Sequence, residues 1–167
     1  MPVGKRSSSC HARGSVMSGY SGTPLAKKLG IRPGTRMFVD APPKHYSGLI
    51  APLPENVRTV RAIDAATDLI HLFATRRAAL GATLRRARAR MRDDAAIWVS
   101  WPKRAARLPT DITEDVVREL ALPLGLVDVK VCAVDEIWSG LKVVLRRSER
   151  AVASHSAHKA RRPGTPR

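Results

Sequence analysis

Histidine, lysine, tryptophan and adjacent acids are the residues here that could do chemistry, and their positions narrow what that chemistry is. His45 lies in DAPPKHYSG, directly after an apolar run. Imidazole is the one side chain whose ordinary pKa falls near neutrality, so His45 is the first choice for a general base. Lys44 beside it, Arg76 after DLIHLFA and Lys103 after AAIWVSW are placed to pair a phosphate or carboxylate, and Trp101 and Trp138 could sandwich a planar ring. Asp135 and Glu136 offer two carboxylates, although neighbours in a turn usually point apart. A plainer reading stands beside this one: the tryptophans cap a core and the charges are solvated. Cys132 alternates with apolar residues in VKVCAV and reads as an inert buried thiol, and His71, inside DLIHLFA, as a hydrogen-bonded core residue.

Several chemistries lack their residues. No His, Cys or Asp spacing matches a zinc pattern, and His155-x-x-His158 alone does not make one, so no metal is expected. There is no Gly-x-Ser-x-Gly elbow and no Gly-x-x-x-x-Gly-Lys phosphate loop.

The elements that must position these residues alternate in type. Thr23 as N-cap, Pro24 at the first helical position and Gly30 past the end predict a short helix over 24–29. After a Pro33-Gly34 turn, residues 36–40 read as a strand; a proline-broken loop follows, with a helical turn open over 47–51, and then a strand over 57–61. DLIHLFA, residues 68–74, is apolar enough for a strand covered on both faces. Leu80, Leu84, Ala87 and Met91 recur on one face of a helix. AAIWVSW reads as another buried strand. The segment LPTDITEDVVRELAL reads as a helix with capping-box spacing from Asp111 to Glu114 and an Ile112, Val116, Leu120 stripe. Two strands, 126–134 and 141–147, follow, joined by the turn DEIWSG. This order predicts an α/β fold: an open, mostly parallel sheet of about six strands ending in an antiparallel hairpin, with helices on both faces. The C-terminal ends of the parallel strands would then share one edge, where such folds bind ligands, and Lys44, His45, Arg76, Trp101, Lys103, Asp135, Glu136 and Trp138 collect there.

At 167 residues the chain suits one domain, and 44% hydrophobic residues suffice for a core built from Val, Leu, Ile and Ala, since aromatics make up only 4%. No apolar stretch approaches the roughly 20 residues of a membrane helix. Two cysteines, Cys10 and Cys132, make no disulfide scaffold, and a reducing cytoplasm is the expected location. The net charge of +16 points to anionic partners, nucleic acid among them, or else to coding bias, since Arg outnumbers Lys by 22 to 8. Seven of these charges fall in 1–17 and 151–167, which lack acids and apolar periodicity. The expected organisation is a basic disordered tail over 1–16, a single domain over 17–150 with Met17 as an alternative start, and a second basic tail over 151–167. Inside the domain, Arg77, Arg85, Arg88 and Arg92 flank one side of the Leu80 and Leu84 stripe as a candidate polyanion face, and Arg86 and Arg90 take the other.

The order of LGIRPGTRMFVDA, DLIHLFA, a helix, AAIWVSW, a helix and a hairpin resembles a shortened class I S-adenosylmethionine-dependent methyltransferase fold, a Rossmann-like architecture, over roughly 25–147. That family follows its first strand with a GxGxG-like turn; this chain has Ala41-Pro42-Pro43-Lys44-His45, whose prolines remove two backbone donors. The resemblance therefore implies the fold without ordinary cofactor binding, and no cofactor is expected. MSGYSGTPLAKKLGI at 17–31, WPKRAARLPTDITEDVVRE at 101–119 and GLVDVKVCAVDEIWSGLKVV at 125–144 resemble an uncharacterised bacterial domain-of-unknown-function family, a likeness that carries no activity with it.

The leading expectation is a non-catalytic binding or regulatory module for an anionic partner. Two alternatives stay open: a divergent methyltransferase or other small-molecule enzyme using Lys44, His45, Trp101 and Lys103, and a sequence-independent nucleic-acid-associated protein. Trimming the chain to Met17–Arg150 is expected to leave its melting temperature within a degree or two at equal concentration, because segments without apolar periodicity bury no core face. Differential scanning calorimetry of the two forms checks this.

Overall fold

A computed structural model describes residues 22–150. The expected tails, Met17, Cys10 and the His155 and His158 pair lie outside the described residues.

Six strands form one sheet: β1 (Arg36–Asp40), β2 (Arg58–Val60), β3 (Leu69–Phe73), β4 (Ala96–Pro102), β5 (Leu126–Ala133) and β6 (Trp138–Leu145). Their order is β2-β1-β3-β4-β6-β5. The first four run parallel, and β6 is antiparallel to both β4 and β5. This is the expected α/β sheet with its C-terminal hairpin. The helices are α1 (Leu25–Leu29), α2 (Tyr46–Leu49), α3 (Arg77–Arg88), α4 (Glu114–Ala121) and α5 (Arg147–Arg150).

Both faces of the sheet are covered, which is why all five residues of β3 are buried. Ile70, Leu72, Ile97, Val99, Leu141 and Val143 point to one side, against Leu80, Leu84 and Ala87 of α3 and Val117 and Ala121 of α4. Leu69, Phe73 and Trp98 point to the other, against Leu25, Ala26 and Leu29 of α1 and Tyr46 of α2. The fully buried Trp98 keeps its indole N–H satisfied by donating to the Leu29 carbonyl at 3.0 Å.

Four local expectations are corrected. Pro24, not Thr23, occupies the cap position of α1, with no side-chain cap bond, while Gly30 closes the helix in the left-handed conformation as expected (φ 81°). Thr113 caps α4, accepting a hydrogen bond from the Val116 amide at 3.3 Å; Asp111 instead accepts from the Arg77 amide at 2.6 Å and so serves the first turn of α3. A capping box read along the chain misses this because an orphan helix amide takes whichever carboxylate the fold brings near. The buried stripe shifts with the helix start, to Ile112, Val117 and Ala121. Finally, Trp138 is the first residue of β6, paired with Pro102, rather than part of the turn.

Leu84, fully buried between α3 and the sheet, sets a test of this core. Leu84→Ala should lower unfolding free energy by about 3 to 5 kcal/mol, whereas Val129→Ala on the exposed edge of β5 should change it by less than about 0.5 kcal/mol, both read from urea melts.

Candidate functional site at the carboxyl edge of the sheet

The parallel strands β1, β3 and β4 end at Asp40, Phe73 and Pro102, and the connections leaving them share one rim. Two buried interactions decide what that rim presents. His71, in the centre of β3, has no access to solvent, and its ring nitrogens are bonded on both sides: Nδ1 lies 2.8 Å from the Tyr46 hydroxyl and Nε2 2.8 Å from the Ser100 hydroxyl. Either hydroxyl can donate or accept, so a neutral imidazole is satisfied whichever nitrogen holds its proton. Burial drives the His71 pKa down to about 3 and raises that of the Tyr46 phenol. The expectation of a hydrogen-bonded core histidine is met. Its partners were missed, although a Ser inside AAIWVSW and a His inside DLIHLFA are the kind of buried polar residues that must find each other. An aromatic cluster surrounds the chain: Tyr46 meets His71 and Phe73 edge-on, and Phe73 meets Trp138 edge-on at 5.1 Å.

Because Tyr46 is pinned to β3, the residue before it is placed as well. His45 Nε2 lies 2.8 Å from Asp135 Oδ2, joining residues 90 positions apart. The imidazole is about half exposed, whereas the carboxylate is nearly buried. The other oxygen of Asp135 accepts from the Ile137 and Trp138 amides at 2.8 and 2.6 Å, and the Lys103 ammonium donates to the Asp135 carbonyl at 2.7 Å. Asp135 is thus held from both sides, and His45, Lys103 and Asp135 converge from three connections.

The remaining candidate residues do not join them. Trp101 is paired with Ser139 and Trp138 with Pro102. Since neighbours along a strand face opposite ways, the two indoles lie on opposite sides of the sheet, and the ring sandwich does not form. Trp101 and Lys103 line a depression of about 440 Å³ with Arg104, Thr110 and Thr113. Arg76 lines another, of about 210 Å³, with Asp40, Ala41 and Thr75. Lys44 and Glu136 are exposed. On α3, Arg77 pairs with Glu119 at 2.8 Å and Arg88 with Glu149 at 3.8 Å, and Arg85 is exposed; just beyond the helix Arg92 pairs with Asp68 and Asp94 at 2.6 and 2.5 Å. Among the described residues no group of three His, Cys, Asp or Glu side chains could hold a metal, and no helix is long and apolar enough to cross a membrane. The Cys132 thiol is half-buried, which raises its pKa.

No protein-family model matches the chain, and no curated protein matches it. Among solved structures it is similar to a candidate type 11 methyltransferase from Sulfolobus solfataricus, with a TM-score of 0.55, 11% identity, and coverage of 75% of this chain and 91% of that one. It is also similar to a candidate exported protein from Bordetella parapertussis, with a TM-score of 0.52, 12% identity, and coverage of 73% and 66%. A third likeness, to a SAM-dependent methyltransferase from Aquifex aeolicus, has a TM-score of 0.47 at 12% identity over 72% and 87% of the two chains. The fold is methyltransferase-like and Rossmann-like, as the order of elements implies.

The buried histidine predicts an acid-side loss of stability. Its pKa is about 3 folded and about 6.5 unfolded, so between these values the unfolded chain binds the extra proton. Stability from His71 is complete above pH 6.5 and falls as pH drops toward 3, with a limiting slope of about 1.4 kcal/mol per pH unit. Urea melts from pH 7.5 to 4.5 should show this slope in the native chain and a flatter profile in His71→Leu.

Proposed function

We propose that this chain is a small-molecule enzyme built on a methyltransferase-like fold, with His45 as general base and Lys103 as an anchor for an anionic group of the substrate. The observation that carries this reading is the 2.8 Å contact between His45 Nε2 and Asp135 Oδ2. When Nε2 donates to that carboxylate, Nδ1 keeps its lone pair, and it has no partner among the described residues. It can take a proton from a substrate hydroxyl or amine while Asp135 stabilises the imidazolium that forms. A non-catalytic module needs no imidazole oriented by a fixed carboxylate, which favours this reading over the one that sequence put first.

Methyl transfer from S-adenosylmethionine is the second reading, favoured by the likeness to the Sulfolobus solfataricus structure. The residues after β1 do not fit that cofactor in the manner of a glycine turn. Ala41 adopts a positive φ of 48°, Pro42 and Pro43 supply no amide donors, and Tyr46 packs down against β3.

Melting curves and turnover assays against small carboxylates and phosphate esters test the main reading. A ligand at 100 times its Kd adds about 2.7 kcal/mol. We expect a stabilising ligand whose shift falls in Lys103→Ala and whose turnover is lost in His45→Ala. A library in which nothing depends on these two side chains overturns the proposal. S-adenosylmethionine is expected to give no shift; a shift that adenosine does not reproduce selects methyl transfer instead.

A further inference from the structure

Away from the His45 rim, on the α3 side of the sheet, Arg61 meets Arg86 and Arg90 around a depression of about 260 Å³ whose other walls are Phe38, Ala62 and Ile63. Arg61 comes from the connection just after β2, Arg86 from the last turn of α3 and Arg90 from the turn just beyond it. All three are exposed, and no described carboxylate comes within ion-pair distance of any of them. The contrast lies close by, where Arg77 and Arg88 of α3 and Arg92 just beyond it each find a carboxylate. Arg86 and Arg90 line the same depression, so their like charges repel. The negative end of the helix dipole offsets part of that repulsion, but it gives no reason for Arg61 to join them from another element.

We infer that this depression is a binding site for a phosphorylated small molecule, whose phosphate is held by Arg61, Arg86 and Arg90 and whose carbon skeleton rests on Phe38 and Ile63. Guanidinium groups present paired N–H donors that match phosphate oxygens, and a dianion relieves the mutual repulsion of the three. The floor is apolar: Ile63 is 6% exposed, and Phe38 packs against the core. A polynucleotide fits less well. Its backbone would need an uninterrupted basic stripe, and Arg77 and Arg88 of α3 and Arg92 beyond it are already paired with the protein's own acids.

Isothermal titration of the full chain with AMP, pyrophosphate and adenosine, at about 150 mM salt, tests the site. AMP and pyrophosphate should bind saturably and adenosine should not. The variant Arg61→Gln/Arg86→Gln/Arg90→Gln should weaken both by about thirtyfold or more, the expected loss of several charge-assisted bonds. Arg107→Gln/Arg146→Gln/Arg147→Gln removes the same charge from exposed arginines elsewhere and should stay within about threefold of the native chain. Circular dichroism melts of both variants separate lost binding from lost folding, since exposed substitutions change stability little. Equal losses in the two variants would reduce the effect to diffuse charge and overturn the inference. So would an absence of small-anion binding, including the case in which a 20-base-pair duplex binds through these arginines while AMP and pyrophosphate do not.

Discussion

A sheet covered on both faces leaves no water for a polar group in its middle strand, and the fold around β3 follows from that constraint. His71 at the centre of β3 is satisfied by Ser100 from β4 on one side and Tyr46 from α2 on the other. The second bond is what holds the connection after β1 against the sheet, because α2 is one turn long and has no side-chain cap of its own. Leaving either ring nitrogen unbonded would cost about 1 to 3 kcal/mol, so the hydroxyls have reason to stay. Where proteins of this architecture carry a flexible glycine turn, this chain has a fixed strap. His45 rides at its edge, which turns a structural bond into a positioning device for the rim.

The same economy of partners governs the charges. With more than twice as many basic as acidic residues, the carboxylates of the domain are distributed unevenly. Arg118 alone engages Glu114, Asp115 and Asp128, and Arg92 takes both Asp68 and Asp94. These exposed pairs contribute little to stability individually. Their consequence is spatial: on one flank Arg77, Arg88 and Arg92 are paired and Arg85 is not, whereas Arg61, Arg86 and Arg90 meet around one depression with no carboxylate partner among the described residues. A helical wheel drawn from sequence singles out the flank of Arg77, Arg85, Arg88 and Arg92, since it contains no acids from other elements.

Much of the architecture was legible from local patterns. The run LIHLF announced a strand buried on both sides, the Leu80, Leu84 and Ala87 spacing announced α3, and the alternation of types announced a mostly parallel sheet closed by a hairpin. Each of these signals is carried by residues adjacent in sequence, which is why composition and periodicity suffice. The candidate site was legible only as a collection: His45, Lys103 and Asp135 could be assigned to one edge, but not to one another.

What sequence determined by itself was the chain's class, its basic character, its core faces and the absence of the glycine turn. Tertiary structure alone decided which polar groups meet. The bond of His45 to Asp135 spans 90 residues, that of Tyr46 to His71 spans 25, and Asp111 serves a helix 34 residues away from it rather than the helix it precedes. The same holds for the tryptophans, whose separation depends on strand register rather than on residue type. The physical reason is that apolar burial is non-directional and leaves a periodic trace along the chain, whereas a hydrogen bond is satisfied by whichever partner the packing brings within about 3 Å.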